Sequence, residues 1–360
     1  LDVHGDYVYS ASWAGGLRRF DYTMVNNSVV SPIWESIPLP MDNQDELLCG
    51  NIDVSSYELN PVGKCSEDFD NHKAFSVHVM EDTLWVGTAQ GVNKGVITQN
   101  SCINWTHLTS YNNNLFDDWV IDFEHQIIDE NNYRIWAITW QKDTQGQIGP
   151  PSYSDDGGQN WTYPSQLFQL GVKAYNISVF ENFVFLSTNM GLYISDNGES
   201  WEKFDRPIDY EDNEQVLSEV VYDAEVIDNK LWVGTQDGVA ISNSFTTPQW
   251  MVYRFWENNN MLEVYPNPFL IDDYNIVDGH GHVRFIYPVD ENLDISSIDI
   301  FDFSMDKVAT LYFPIIINNQ FEFIWNGQND NGSKVANGIY FCRLNDNGNF
   351  KWVKLAVIGS

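Results

Sequence analysis

The sequence predicts an all-β fold. Three observations carry that expectation: a strand–turn–strand stretch that recurs almost verbatim, a tryptophan that trails each copy, and the lack of any helix-period segment of useful length. The stretch is LWVGTQDGV, Leu231 to Val239, which occurs earlier as LWVGTAQGV, Leu84 to Val92. Near-identity of this length inside one chain is a repeat signal. Leu231, Val233 and Thr235 alternate with Trp232 and Gly234, the pattern of a half-buried strand rich in β-formers. Asp237-Gly238 readily adopts the positive φ of a tight hairpin turn, and a second strand follows to Ser242.

Looser copies extend the series. YVYSASWAGGL keeps Tyr9, a hydroxyl at Ser12 and the turn Gly15-Gly16. RIWAITW keeps Trp136 and Thr139, and FVFLSTNMGLYI keeps Phe185, Thr188 and Gly191. Trp34, Trp105, Trp161, Trp201 and Trp250 each open a short outer strand. The core aromatics Tyr9, Trp85, Trp136, Phe185 and Trp232 are spaced 76, 51, 49 and 47 residues. Four-stranded units at roughly 40–50 residues are the signature of a β-propeller, here of about five recognisable blades.

Taken in order, residues 1–39 form the first blade and residues 40–74 an acidic insertion that explains the long first interval. Residues 75–110 and 116–165 form the second and third blades, the third with a long polar loop at 141–151. Residues 172–206 and 218–256 complete the series. A closed five-bladed ring is the economical reading. A partial ring, with blades upstream or supplied by another chain, is the alternative. The propeller thus spans 1–256, a polar linker 257–263, and a second domain 264–360. Strands such as VRFIYP, ISSIDIFDF, QFEFIW and GIYFCRL, separated by turns such as NDNG, make that domain an antiparallel β-sandwich.

The chain has 360 residues, with 18 Lys and Arg against 51 Asp and Glu, a formal charge of −33. A phosphate backbone would be repelled, which excludes nucleic acid as a partner. No apolar run is long enough for a transmembrane helix. No charged and apolar leader opens the chain, so it reads as a mature form or part of a longer precursor. Four cysteines lack metal-site or haem spacing. Cys49 and Cys65 flank the acidic loop and are expected to close a disulfide across it, whereas Cys342 sits in a strand as a small buried hydrophobe.

The third blade contains SDDGGQNW, with Ser154, Asp156, Gly158 and Trp161 in the spacing S-x-D-x-G-x-x-W. The fourth has ISDNGESW, with Asp196, Gly198 and Trp201, and Ile194 where the serine is expected. The acidic and hydroxyl side chains satisfy turn backbone, glycine permits positive φ, and tryptophan packs between strands. These motifs resemble the Asp-box repeats of sialidase-like and related secreted propellers, where the box is a structural turn away from the active face. The LWVGT units resemble the propeller repeats of two-component-sensor ectodomains.

YPNPF (Tyr265, Pro266, Asn267, Pro268, Phe269), then WNGQNDNGSKVANGIYFCRL with Trp325, Gly338 and Tyr340, then KWVKLAVI, resemble the FlgD-like immunoglobulin fold. They are also similar to the C-terminal sorting domain of type IX secretion substrates. The resemblance covers residues 264–358 and implies export across the outer membrane, then attachment or docking. Pro266 and Pro268 are expected to fix an extended leading strand. Asp302, Met305 and Val308 stand where the family has Asp, Gly and Val, so Met305 replaces the glycine of a turn.

No catalytic or cofactor-binding residue is predicted. A sialidase-type site needs converging arginines, and Arg18, Arg19, Arg134, Arg206 and Arg254 do not repeat at equivalent positions. Inverting glycoside hydrolysis needs only two carboxylates, which 51 acidic residues leave open. His280 and His282 are too few for a metal site, and the NDNG and SDNG fragments read as hairpin turns before structural calcium. Of the aromatics beyond the repeat (Trp13, Trp140, Tyr153 and Trp256), packing between blades and stacking on sugars are both readings. The expected role is non-enzymatic. The chain reads as an extracytoplasmic protein-binding scaffold, accessory or assembly subunit, docked through its C-terminal domain to other subunits or to itself. A secreted carbohydrate-binding or glycoside-hydrolysing propeller is the alternative.

Overall fold

A computed structural model gives the fold and describes residues 1–23, 33–50, 67–98, 102–130, 132–141, 148–211, 213–254, 261–289, 295–317, 320–346 and 348–359. Among the described residues the chain is all-β apart from short helical turns. It packs as two compact units, residues 1–204 with 223–225, and residues 205–222 with 226–360.

The first unit is a succession of antiparallel sheets in chain order. The first sheet is β1 (Asp2–His4), β2 (Tyr7–Ser12), β3 (Gly16–Asp21) and β4 (Glu35–Ile37). In the second, β6 (Ala74–Met80), β7 (Thr83–Thr88), β8 (Gly91–Ile97) and β9 (Ile103–Leu108) follow the same order. A short strand from the acidic insertion, β5 (Glu46–Leu47), is added at the β9 edge. The third sheet is β10 (Trp119–Ile127), β11 (Tyr133–Trp140) and β12 (Pro151–Ser154). Its expected tryptophan-led outer strand is reduced to a single bridge between Tyr153 and Thr162. The fourth is β13 (Ala174–Phe180), β14 (Phe183–Thr188), β15 (Gly191–Ser195) and β16 (Glu202–Lys203).

A fifth sheet, β17 (Val221–Ile227), β18 (Lys230–Thr235), β19 (Gly238–Ser242) and β20 (Trp250–Tyr253), belongs to the second unit apart from residues 223–225.

The recurrent hairpin has a local cause. Thr88, Thr188 and Thr235 each donate Oγ1–H to the carbonyl of the glycine three residues on, at 3.0, 2.7 and 2.8 Å. Each also accepts the N–H two residues on. The glycine carries φ of 104°, 122° and 131° at Gly91, Gly191 and Gly238. At Gly91 a Cβ would lie 2.3 Å from the Leu108 carbonyl oxygen, so no side chain fits. Apolar cores fill the spaces between successive sheets. Tyr9, Leu17, Leu84 and Trp105 pack together, as do Trp85, Phe123, Ile135 and Trp161, and then Trp136, Leu186, Tyr193 and Trp201.

The expected Cys49–Cys65 bridge is not formed. Cys49 is bonded to Cys102, with Cα atoms 6.1 Å apart, and a cysteine makes one such bond. β5 explains the choice: it pairs with β9, and Cys49 N–H donates to Asn104 Oδ1 at 2.8 Å. Cys49 is thereby held beside the start of β9. Cys65 lies outside the described residues, as do 142–147 of the long polar loop and 255–260 around the linker.

Beyond residue 260 two sheets close over one core. One is β21 (Glu263–Tyr265), β23 (Val283–Pro288), β27 (Gln320–Trp325) and β26 (Ile315–Ile317). The other is β22 (Phe269–Leu270), β29 (Asn349–Ile358), β28 (Gly338–Asp346), β24 (Ile295–Phe301) and β25 (Lys307–Tyr312). The proline run does not remain one extended strand. β21 pairs with β23 in the first sheet, and β22 pairs in parallel with β29 in the second, so residues 266–268 carry the chain across. Both X-Pro bonds there are cis.

Candidate functional site

The two tryptophan turns prove to be devices that join neighbouring sheets. In the first, Gly158 N–H donates to Ser154 Oγ (2.9 Å) and Asn160 N–H to Asp156 Oδ1 (2.9 Å). Trp161 is buried edge-on to Trp85 of the preceding sheet, centroids 6.3 Å apart at 90°. A Cβ on Gly158 would meet the Trp85 ring at 3.0 Å. Lys94 of the preceding sheet donates to the Gly157 carbonyl at 2.8 Å.

The second turn repeats the arrangement one sheet later. Trp201 is edge-on to Trp136 at 5.9 Å, and Arg134 donates to the Asn197 carbonyl at 3.2 Å. Its side chains differ from those the motif spacing predicts. Ser195, rather than the position of Ile194, supplies the hydroxyl, which Gly198 N–H reaches at 2.8 Å. Asn197, not Asp196, accepts the N–H groups of Glu199 and Ser200. The second turn is one residue tighter between hydroxyl and glycine, so its amide side chain is the one in register.

The fifth sheet departs from this pattern. Trp85 and Trp136 are fully buried, but Trp232, at the same point of the same hairpin, is 39% exposed. Val239 pairs with Gly234 and with Tyr253, which places Trp232, Val239 and Tyr253 on one face. All three are exposed, whereas Leu231, Val233, Ala240 and Val252 on the opposite face are buried. The sequence could not show this, because the covering group lies in a following sheet and not in the strand itself.

The first strands of the first unit's sheets carry a polar row that motif reading missed. Ser76-Val77-His78, Asp122-Phe123-Glu124, Asn176-Ile177-Ser178 and Asp223-Ala224-Glu225 share an alternation in which Val77, Phe123, Ile177 and Ala224 are buried. That recurring polar–apolar–polar triplet was the signal available. Asp122 Oδ2 accepts from Ile177 N–H at 3.3 Å and Asn176 Nδ2 at 3.4 Å. Burial pushes the Asp122 carboxyl up to about 7, with the Glu124 and Asp223 carboxylates adding to the rise against the hydrogen bonds it accepts. Beside it, His78 Nε2 and His125 Nδ1 lie 2.8 Å apart. Burial lowers the His78 pKa, and the hydrogen bond to Glu124 raises that of His125. Near the same strands, half-exposed Trp13 packs on Phe75 (5.1 Å) and edge-on to Trp119 (6.1 Å). Trp140 and Tyr153 are taken up in packing, and Trp256 lies outside the described residues.

The C-terminal motif residues converge inward. Phe269, Trp325 and Tyr340 are buried in one core, with Trp325 centred 6.2 Å from Phe269 and 6.0 Å from Tyr340. Trp325 Nε1–H donates to the Gln328 carbonyl and Tyr340 Oη–H to that of Ala336, each at 2.7 Å. Asn267 clamps β29, donating to the Lys354 carbonyl and accepting from Ala356 N–H. Gly338 opens β28, and Tyr265 is exposed at the end of β21. Pro266 and Pro268 flank Asn267 in the crossing segment. Met305 occupies a left-handed backbone position, φ 66°, in a turn where Asp302 Oδ1 accepts from Ser304 and Asp306 N–H. His280 and His282 lie in the turn before β23, and His282 Nδ1 faces the Asn275 carbonyl at 3.2 Å.

Within the second unit a buried ion network binds the fifth sheet to β23. Arg284 and Asp237, both fully buried at the side chain, meet at 2.7 Å, and Arg254 reaches the same Asp237 oxygen at 2.8 Å. Glu322 pairs with Arg284 and Glu214 with Arg254. Arg284 and Arg254 each donate to the Gln215 carbonyl at 2.6 Å. Asp237 is thus far more than a turn residue.

No protein-family model matches the chain, and no curated protein matches it. Among solved structures, it is similar to PorZ, a bacterial surface component of the type IX secretion system of Porphyromonas gingivalis. That match has 16% identity over 99% of this chain and 50% of the other, TM-score 0.41. A GH74 enzyme of Niastella koreensis matches at 12% identity, over 97% and 43%, TM-score 0.41. The extracellular domain of a putative hybrid two-component system of B. thetaiotaomicron matches at 10%, over 98% and 55%, TM-score 0.24. The chain spans about half the length of these structures.

Proposed function

We propose that the chain is a non-enzymatic, extracytoplasmic protein-binding scaffold, accessory or assembly subunit. In this reading a β-propeller with Asp-box turns, residues 1–256, precedes a FlgD-like Ig or type IX sorting-type domain, residues 264–360. The observation that carries it is the open face of Trp232, Val239 and Tyr253. The equivalent Trp85 and Trp136 are covered by Trp161 and Trp201, which follow strands of the next sheet, so this face has the chemistry of a surface that another sheet covers. The Cys49–Cys102 bridge fits an oxidising compartment. The test is native mass spectrometry of the full chain, alone and gently extracted from its own cells, beside Trp232→Asp. An assembly that the variant loses, with its circular dichroism unchanged, supports the reading. A lone monomer from cells overturns it.

A second reading, carbohydrate binding or hydrolysis, is favoured by the Asp122 acid on the same strand as Glu124 and by half-exposed Trp13, which packs on Trp119 of that strand. Its test is glycan binding and hydrolysis by the wild type, Asp122→Asn and Trp13→Ala. Wild-type activity lost in the variants supports it, and an inert wild type removes it.

A further inference from the structure

Three side chains on two adjacent strands bring metal-binding atoms together. His78 projects from β6 and Glu124 and His125 from β10. One ligand atom from each lies within 4.8 Å of the others. His78 Nε2 and His125 Nδ1 are 2.8 Å apart, and His125 Nδ1 is 3.3 Å from Glu124 Oε1. Two imidazole nitrogens this close can share only one proton between them. A cation bound at both removes that constraint, because ligands at about 2.1 Å in a tetrahedral shell sit roughly 3.4 Å from each other. An opening of about half an ångström, well within side-chain adjustment, reaches that geometry.

The surroundings complete the design. With His78 coordinating through Nε2, its Nδ1 faces Asp2 Oδ2 at 3.7 Å, the carboxylate–histidine–metal relay that fixes ring orientation. Asp2 is itself held, accepting Val79 N–H at 2.6 Å. The three candidate ligands are partly buried and partly open, so the cluster is shielded yet reachable from solvent. By contrast, His107 is not available as a ligand, since both its ring nitrogens face backbone carbonyls, those of Gln44 and Gln90, at 3.0 and 2.7 Å.

We propose that His78, His125 and Glu124 form a divalent transition-metal site of Zn²⁺ type, with Asp2 as the positioning carboxylate and one coordination position left to water. Two imidazoles and a carboxylate are a borderline-soft donor set, suited to Zn²⁺ in preference to Ca²⁺ or Mg²⁺, which favour oxygen ligands. Bound there, the ion ties the second sheet to the third at their first strands.

The experiment uses the full chain stripped with chelator, titrated with ZnCl₂ by calorimetry and with Co²⁺ by visible absorption. The expected result is one equivalent bound at neutral pH, with Co²⁺ giving the strong ligand-field bands of a four-coordinate site. His78→Ala and His125→Ala each lower the affinity by about a hundredfold or more, and Asp2→Asn lowers it by roughly tenfold. His282→Ala leaves it unchanged. Wild-type protein that binds no Zn²⁺, or gives only the weak bands of hexaaqua Co²⁺, overturns the proposal without recourse to any variant. Binding that survives His78→Ala in a folded protein, or that is lost in His282→Ala, overturns it as well.

Discussion

The two near-identical stretches, Leu84–Val92 and Leu231–Val239, share a hairpin and differ in what lies on it. The first buries Trp85 under Trp161 of the next sheet; the second leaves Trp232 open. The first turn holds Gln90, whose backbone carbonyl meets His107; the second holds Asp237, buried between two arginines. The same local code therefore serves two kinds of join. In the first unit sheets are joined by aromatic edges and turn hydrogen bonds. In the second, the fifth sheet is joined to β23 by buried charge. Local sequence sets the hairpin, and the neighbour decides the energetics.

The comparison is broken most directly at the tryptophans. Trp85→Ala should cost about 3–5 kcal/mol by urea unfolding, because it opens a cavity beneath Trp161. Trp232→Ala in the isolated chain should cost less than about 1 kcal/mol. Equal losses would show that the two faces are equally packed. Arg284→Ala should cost a similar 3–5 kcal/mol, since it strands the buried Glu322 carboxylate away from water and leaves Asp237 to Arg254 alone. Gln90→Ala, at the corresponding turn of the other copy, should stay within about 0.5 kcal/mol.

Acid sensitivity sharpens the contrast inside the first unit. Burial pushes the His72 imidazole down to about 4, so the folded state holds fewer protons than the unfolded chain. Its contribution is present above pH ~6.5 and is lost as pH falls through about 4, on the order of 3 kcal/mol. Asp122 acts in the opposite sense. Its raised pKa gives a contribution present below pH ~4 and lost as pH rises through about 7, on the order of 4 kcal/mol. Urea midpoints against pH should therefore tilt in opposite directions in His72→Leu and Asp122→Asn, with Asp122→Asn more stable than wild type at pH 8. Parallel curves for both variants would contradict these assignments. A small gain is expected at Met305, where Met305→Gly relieves a left-handed backbone and should add about 0.5–1 kcal/mol.

Much of the fold was legible in the sequence because its signals are local. The hairpin glycines, the alternation in β7 and β18, and the first tryptophan turn with Ser154, Asp156 and Gly158 depend on residues within one turn of each other. The structure adds what depends on distant partners. Cys49 found Cys102 rather than Cys65 because strand pairing, not sequence proximity, brings cysteines together. Ser195 and Asn197 replaced the expected turn residues through a one-residue change of spacing. Asp237 and Arg284 looked like a turn residue and a strand residue, since neither sequence neighbourhood names the other. The polar first strands of the sheets, His78 and Glu124 among them, were visible as a repeat only once the strands were aligned by their place in each sheet.

The Cys49–Cys102 bond has one more consequence. It encloses the whole of β6, β7 and β8 in a covalent ring, its two ends 53 positions apart in sequence. A protease that cuts once anywhere between residues 50 and 101, for instance at the exposed Glu81-Asp82 hairpin tip, opens the ring but separates nothing. Such a nicked molecule would run as one species until a reductant divided it in two, so its apparent integrity on a non-reducing gel would conceal its processing history.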